Sequence, residues 1–101
     1  MVKLSQEELK AQQLKSMASK SYNGWKNWQS WAAALWLEND FNMYQNARRL
    51  AEKGSFVSTN RTAQAYINWA AEKEGFRTPM LKRLFRDSVS YREISKSLKG
   101  N

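Results

Sequence analysis

Asn27-Trp28-Gln29-Ser30-Trp31-Ala32-Ala33-Ala34-Leu35-Trp36-Leu37-Glu38-Asn39-Asp40 is the stretch on which the fold class turns. At 100° per residue, Trp28, Trp31, Ala32 and Leu35 form one apolar stripe, with Trp36 on its shoulder. Ala33 and Leu37 lie on the opposite side, so only a thin polar strip remains. A helix that is apolar most of the way round belongs in the middle of a bundle. Asn27 is placed to accept from the first free amides of this helix, and Ser30 at N3 offers a hydroxyl to the same groups. The reading predicts a central helix over about 28–38.

Outward from this segment the chain keeps to helices. Upstream, Ser5 and Glu8 form a capping box, and Leu4 with Leu9 supplies the matching hydrophobic staple of a helix over 6–18. That helix is poorly amphipathic, because Leu9, Leu14 and Met17 share their side with Lys10 and Gln13, so residues 1–20 are expected to dock loosely. Ser19-Lys20-Ser21-Tyr22-Asn23-Gly24 then turns the chain, with Asn-Gly as the turn pair. Downstream, Asn39 or Asp40 caps a third helix that reaches Lys53 and stops at Gly54. It has Met43, Tyr44, Ala47, Leu50 and Ala51 on one face and Gln45, Arg48, Arg49 and Glu52 on the other. A fourth helix spans about 61–74, with Ala63, Tyr66, Ile67 and Ala70 as its core stripe, Trp69 off that stripe and Gly75 closing it. Thr78-Pro79 reads as N-cap and N1 of a fifth helix ending near Asp87. Ser90 with Glu93, and Val89 with Ile94, give a sixth helix, over 91–99, its own capping box and staple. No strand-like alternation occurs anywhere. The expectation is an all-α single domain over 1–101, a compact bundle of five to six short helices.

Composition sharpens that expectation. Leu, Ile, Val and Phe make up 18 of the 101 residues and the net charge is +8, a balance that alone favours disorder. Five Trp and four Tyr offset it, since each ring brings roughly 150–250 Å² of buriable area. The core should therefore be aromatic-rich. Without Cys or His there is no disulfide, no thiolate metal site and no imidazole acid–base group. No cofactor and no metal site are expected. Neither a signal-peptide core nor a run of ~20 apolar residues is present, so no membrane contact is expected either.

The segment Tyr22-Asn23-Gly24-Trp25-Lys26-Asn27-Trp28-Gln29-Ser30-Trp31, continued by Leu35-Trp36-Leu37-Glu38-Asn39-Asp40, resembles a family of short proteins of unknown biochemistry carried by phages, plasmids and other mobile elements. The mark of that family is YNGWxNxxTWxVxLWLxND. The chain departs from it at Ser30, where the family has Thr, and at Ala33, where it has Val. The resemblance implies an accessory protein of the cytoplasm of an infected or plasmid-bearing host cell, which binds and inhibits or redirects a host component such as a defence nuclease. Read physically, Tyr22, Asn23, Gly24, Asn27, Trp28, Ser30, Trp31, Leu35, Trp36 and Asn39 are architectural. Trp25, which precedes the cap, and Trp69 are the rings best placed to meet a partner.

No enzyme signature is legible. The carboxylate pairs Glu7/Glu8, Glu38/Asp40 and Glu72/Glu74 lack a matched nucleophile or ligand set, and read as solvated or capping charges. The basic residues say more. Residues 76–101 hold seven cations against two acids. Lys82, Arg83 and Arg86 share one side of helix five; Arg92, Lys96 and Lys99 run i, i+4, i+7 along helix six. If those two helices pack by their apolar faces, the cations join Arg77 in one continuous patch. Three functions follow as expectations. The first is a non-enzymatic accessory protein that binds a host protein or nucleoprotein. The second is a direct DNA- or RNA-binding module using the basic patch. The third is a virion or self-assembling component, with the oligomeric state left open. The segment 89–98 is reminiscent of the first helix of a helix-turn-helix, but too little chain follows it for a recognition helix. Helices four and five make a looser version, with helix five towards the groove.

Overall fold

The computed structural model describes residues 5–100. It contains six helices: α1 (Gln6–Ala18), α2 (Trp28–Asn39), α3 (Phe41–Glu52), α4 (Arg61–Lys73), α5 (Pro79–Ser88) and α6 (Tyr91–Leu98). The caps read from sequence are in place. Ser5 and Glu8 close a reciprocal capping box; Asn27, Asp40, Thr78 and Ser90 each accept from the N3 amide of their helix. Asn60 caps α4 by accepting from both Thr62 and Ala63. Gly54 ends α3 at a φ of 73°, with its amide on Ala51 and that of Ser55 on Leu50. The staple partner Leu4 lies outside the described residues.

α2 is central, touching each of the other five helices. α5 packs on both α1 and α4, α3 packs on α6, and α3 also meets α4. α1 meets α2 and α5, burying Ala11 and Leu14, and Lys10 Nζ donates to the Gly75 carbonyl. The close approach of the helices is explained by alanines. Ala32, Ala33, Ala47, Ala51, Ala63, Ala70 and Ala71 are fully buried and leave room for the larger rings. Phe56 and Phe85 are the largest side chains sealed inside. Trp28, Phe76 and Phe85 form a triangle of rings with centroid separations of 6.2, 6.1 and 5.8 Å. The core is aromatic-rich as expected, with the Trp rings half-buried around its margin. Among the described residues no helix is long and apolar enough to cross a membrane.

Two local expectations are corrected. The inward face of α2 is Gln29, Ser30, Ala32, Ala33, Ala34 and Leu37, whereas Leu35 is exposed and Trp31 half-exposed. Since the helix is apolar all round, side-chain pattern leaves its orientation open, and polar anchors decide it: Gln29 Nε2 donates to the Leu14 carbonyl at 2.8 Å. Secondly, the capping box of α6 is only half formed. Ser90 Oγ accepts from Glu93, but the Glu93 carboxylate turns away to accept from Lys26 N–H at 2.9 Å. The Ser90 amide donates instead to Ser30 Oγ.

The Asn-Gly turn is real and tight. Tyr22 and Trp25 exchange both backbone hydrogen bonds, at 2.9 and 2.7 Å, around Asn23 (φ 46°) and Gly24 (φ 84°). Two positive φ values in succession mark a type I′ turn. A Cβ on Gly24 would meet nothing within 4 Å, so Gly24→Ala pays only for the left-handed backbone. That substitution is expected to lower stability by about 1 kcal/mol. In urea unfolding it should appear as a lower midpoint with an unchanged slope.

Candidate binding surface

The polar residues of the 22–40 segment set the placement of the last helix. Asn27 and Ser30 are almost completely buried. Asn27 Oδ1 accepts from Ser30 N–H and from Ser30 Oγ, at 2.9 and 2.7 Å. Its Nδ2 donates to the carbonyls of Ala18, at the end of α1, and Ser88, at the end of α5. Ser30 Oγ in turn accepts from Ser90 N–H at 2.8 Å. One cap residue thus ties the end of α1, the start of α2 and the α5–α6 junction together, so α6 begins at a fixed point. Along its inner side Tyr91, Ile94 and Leu98 are buried. Burial without a partner pushes the Tyr91 phenol far above its ordinary pKa.

What α6 turns outward is cationic. Arg92, Lys96 and Lys99 are exposed, and none is in an ion pair among the described residues. They stand on a ridge between two grooves. One runs between α6 and the α3–α4 connection, with Phe56, Val57, Ser58, Ser95 and all three cations in its walls and no carboxylate among the described residues. The other runs between α6 and the Asn-Gly turn, and is lined by Gly24, Trp25, Arg92, Glu93, Lys96 and Ser97. Arg92 and Lys96 belong to both. The single carboxylate of the second groove, Glu93, is held by the Lys26 amide, and Ser97 Oγ donates to Glu38 at 2.7 Å.

The cations of α5 are placed differently. α5 and α6 do not pack against each other, because α5 lies on α1 and α4 while α6 lies on α2 and α3. The packing on which a single continuous patch depended is therefore absent. Lys82 Nζ pairs with Glu72 Oε1 at 2.8 Å, and Arg86 donates to Asn68 Oδ1 at 3.2 Å, so both reach back to α4. Their engagement leaves helix five poorly equipped to face a DNA groove. Lys82, with weaker help from Arg77 and Lys73, holds the Glu72 carboxyl below its ordinary value. Arg83 remains exposed. Arg77 is exposed beside Trp69, Glu72 and Lys73 in a shallow hollow.

The aromatic candidates separate just as clearly. Trp69 stacks edge-on against Trp36 at 6.4 Å and lies under Lys73 Nζ, while Trp36 Nε1 donates to Glu74. Trp31 is covered by Tyr22 at 4.9 Å, and Trp28 belongs to the Phe76–Phe85 cluster. Of the five Trp residues, Trp25 alone has no aromatic partner among the described residues; it packs on the core and lines the second groove. The carboxylates are dispersed: Glu8 and Asp40 cap helices, Glu38 accepts from Ser97, Glu72 from Lys82 and Glu74 from Trp36.

With this geometry in view, the sequence profile of a family of unknown function, DUF7249, matches residues 18–99. The chain belongs to that family. No curated protein and no solved structure matches it at a significant level. The DUF7249 match takes in the whole of α2 to α6, the Asn-Gly turn and both grooves. Two features of the surface had no local signal in the sequence. The 54–58 connection carries the buried Phe56 and the exposed Val57, a pairing that periodicity cannot assign in so short a loop. The Glu93–Lys26 bond joins residues 67 apart in the chain.

Proposed function

We propose that this chain is a non-enzymatic accessory protein of a phage or other mobile element, which binds a host protein or nucleoprotein and inhibits or redirects it through the outer side of α6. The observation that carries this reading is the ridge of Arg92, Lys96 and Lys99, exposed between two grooves and left without ion pairs among the described residues. Elsewhere on the basic half, Lys82 and Arg86 are engaged by α4, which makes them poor contacts for a partner. Charge left uncompensated beside recessed surface favours an anionic partner and speeds its approach.

The reading is tested by affinity capture from host lysate with the wild-type chain and with the triple variant R92E/K96E/K99E. All three residues are exposed, so the variant should fold with a stability within about 1 kcal/mol of wild type. Wild type is expected to retain one dominant host component, and the triple variant to lose at least tenfold of it. K82E/R86E, altered on the other side of the basic half, should retain it. Equal retention by the α6 variant, or nothing retained by wild type, overturns the proposal.

A further inference from the structure

We infer that the groove between α6 and the Asn-Gly turn takes a single-stranded nucleic acid, with Trp25 stacking on a base and Arg92 and Lys96 meeting the flanking phosphates. The inference rests on the α6 reading above and names the chemistry of what that surface holds. Its starting point is the isolation of Trp25. The rings of Trp28, Trp31, Trp36 and Trp69 are each stacked against another aromatic, while that of Trp25 has no such partner among the described residues and lines a groove with two cations. Aromatic rings that accept bases, set in a positive groove that follows the backbone, are the working parts of sequence-tolerant single-strand binding.

The turn makes this ring a firm platform. Trp25 is clamped by both backbone bonds to Tyr22 across a turn of two positive-φ residues, and the adjoining Lys26 amide is fixed by Glu93. Little conformational freedom remains to be lost at that point when a base stacks. Among the described residues two cations, Arg92 and Lys96, face one carboxylate, Glu93, in this groove, so its net charge is positive. Lys99 continues the line of charge on the side of the first groove. From Arg92 to Lys96 the rise of the helix is roughly 6 Å, which sets the two cations towards neighbouring phosphates on one strand.

A duplex fits this surface less well. Reading a major groove takes a helix or ribbon that projects into it. α6 has eight residues and is packed along α2 and α3, and two of the three cations of α5, Lys82 and Arg86, are turned to α4. Unstacked bases are what a recessed groove with one free ring accommodates.

The experiment is fluorescence anisotropy with labelled dT12 and rU12 strands and a 12-base-pair duplex, between 50 and 200 mM salt. Two phosphate contacts, from Arg92 and Lys96, predict a log–log salt slope of about −1.4 for the single strands, a roughly sevenfold weakening across that range. Lys96→Gln, an exposed change that keeps the fold, should reduce the slope by about 0.7. Trp25→Leu should weaken binding roughly five- to a hundredfold, and Trp25→Phe much less, because the smaller ring still stacks. Lys82→Gln should change nothing. The inference is overturned by undetectable single-strand binding at 50 mM salt, by tighter binding of the duplex, or by binding indifferent to both Trp25→Leu and Lys96→Gln. If single strands fail but capture from lysate still depends on α6, the groove serves an acidic protein: the inference falls and the proposed function stands.

Discussion

Asn27→Ala is expected to lower the melting temperature by roughly 12–24 °C. The change removes the N-cap of α2, which is worth about 1 kcal/mol. It also takes the donor from the carbonyls of Ala18 and Ser88 and the acceptor from the Ser30 hydroxyl. Buried groups left without partners cost about 1–3 kcal/mol each, and partial access of water to the two carbonyls moderates the sum. A total of about 3 kcal/mol converts to that temperature shift for a domain of this size. Asn27→Ser separates the roles. Serine caps as well as asparagine does and stays neutral in the buried site, but it is too short to reach the two carbonyls. If Asn27 were only a cap, Asn27→Ser would melt close to wild type; as the link between α1, α2 and the α5–α6 junction, it should melt well below. Differential scanning calorimetry of the three chains decides between these.

Phe85→Ala should be comparably severe, at about 3–5 kcal/mol. Phe85 is completely buried and meets both Trp28 and Phe76 edge-on or tilted at about 6 Å. The cavity left behind is bounded by helices already at alanine-limited distances, which restricts how far the site can collapse. Chemical unfolding should show the loss as a lower midpoint. Phe41 provides the contrast: it is 74 % exposed, and Phe41→Ala should stay within about 0.5 kcal/mol of wild type. A small effect at Phe85 would mean that the ring triangle does not exist in solution.

Asn27 was legible as a cap because capping is local: the acceptor, the amide three residues on and the helix that follows all lie within one turn. The same holds for Ser5, Asp40, Thr78 and Ser90, and for Gly54 and the Asn-Gly pair, whose backbone geometry depends on their own side chains or lack of them. What the pattern did not carry was orientation. α2 is apolar on every side, so its wheel ranks Leu35 with Trp31 as core, while the folded helix turns Leu35 out and brings Gln29 in to reach the Leu14 carbonyl.

The basic surface divides along the same line. Amphipathicity showed that Lys82 and Arg86 lie opposite the apolar face of α5, and that Arg92, Lys96 and Lys99 share a side of α6. It did not show which helix each apolar face would meet. α5 packs on α4, whose Glu72 and Asn68 draw in Lys82 and Arg86; α6 packs on α2 and α3, where nothing among the described residues draws its cations in. Glu93 illustrates the limit at a single residue. Its sequence position suits a capping box, but Ser30 already accepts from the Ser90 amide, and the freed carboxylate reaches the Lys26 amide instead. The competing partner sits about sixty residues away in the chain and is invisible to any local rule.

The division of labour in this account, with the 22–40 segment holding the scaffold and α6 meeting the partner, is tested most directly by hydrogen–deuterium exchange. The protein would be compared free and loaded with the component it captures from host lysate. The account predicts new protection confined to the Asn-Gly turn, the 54–58 connection and residues 90–99, with α4 and α5 unchanged. Protection centred on residues 61–88, with α6 exchanging as in the free protein, would contradict it.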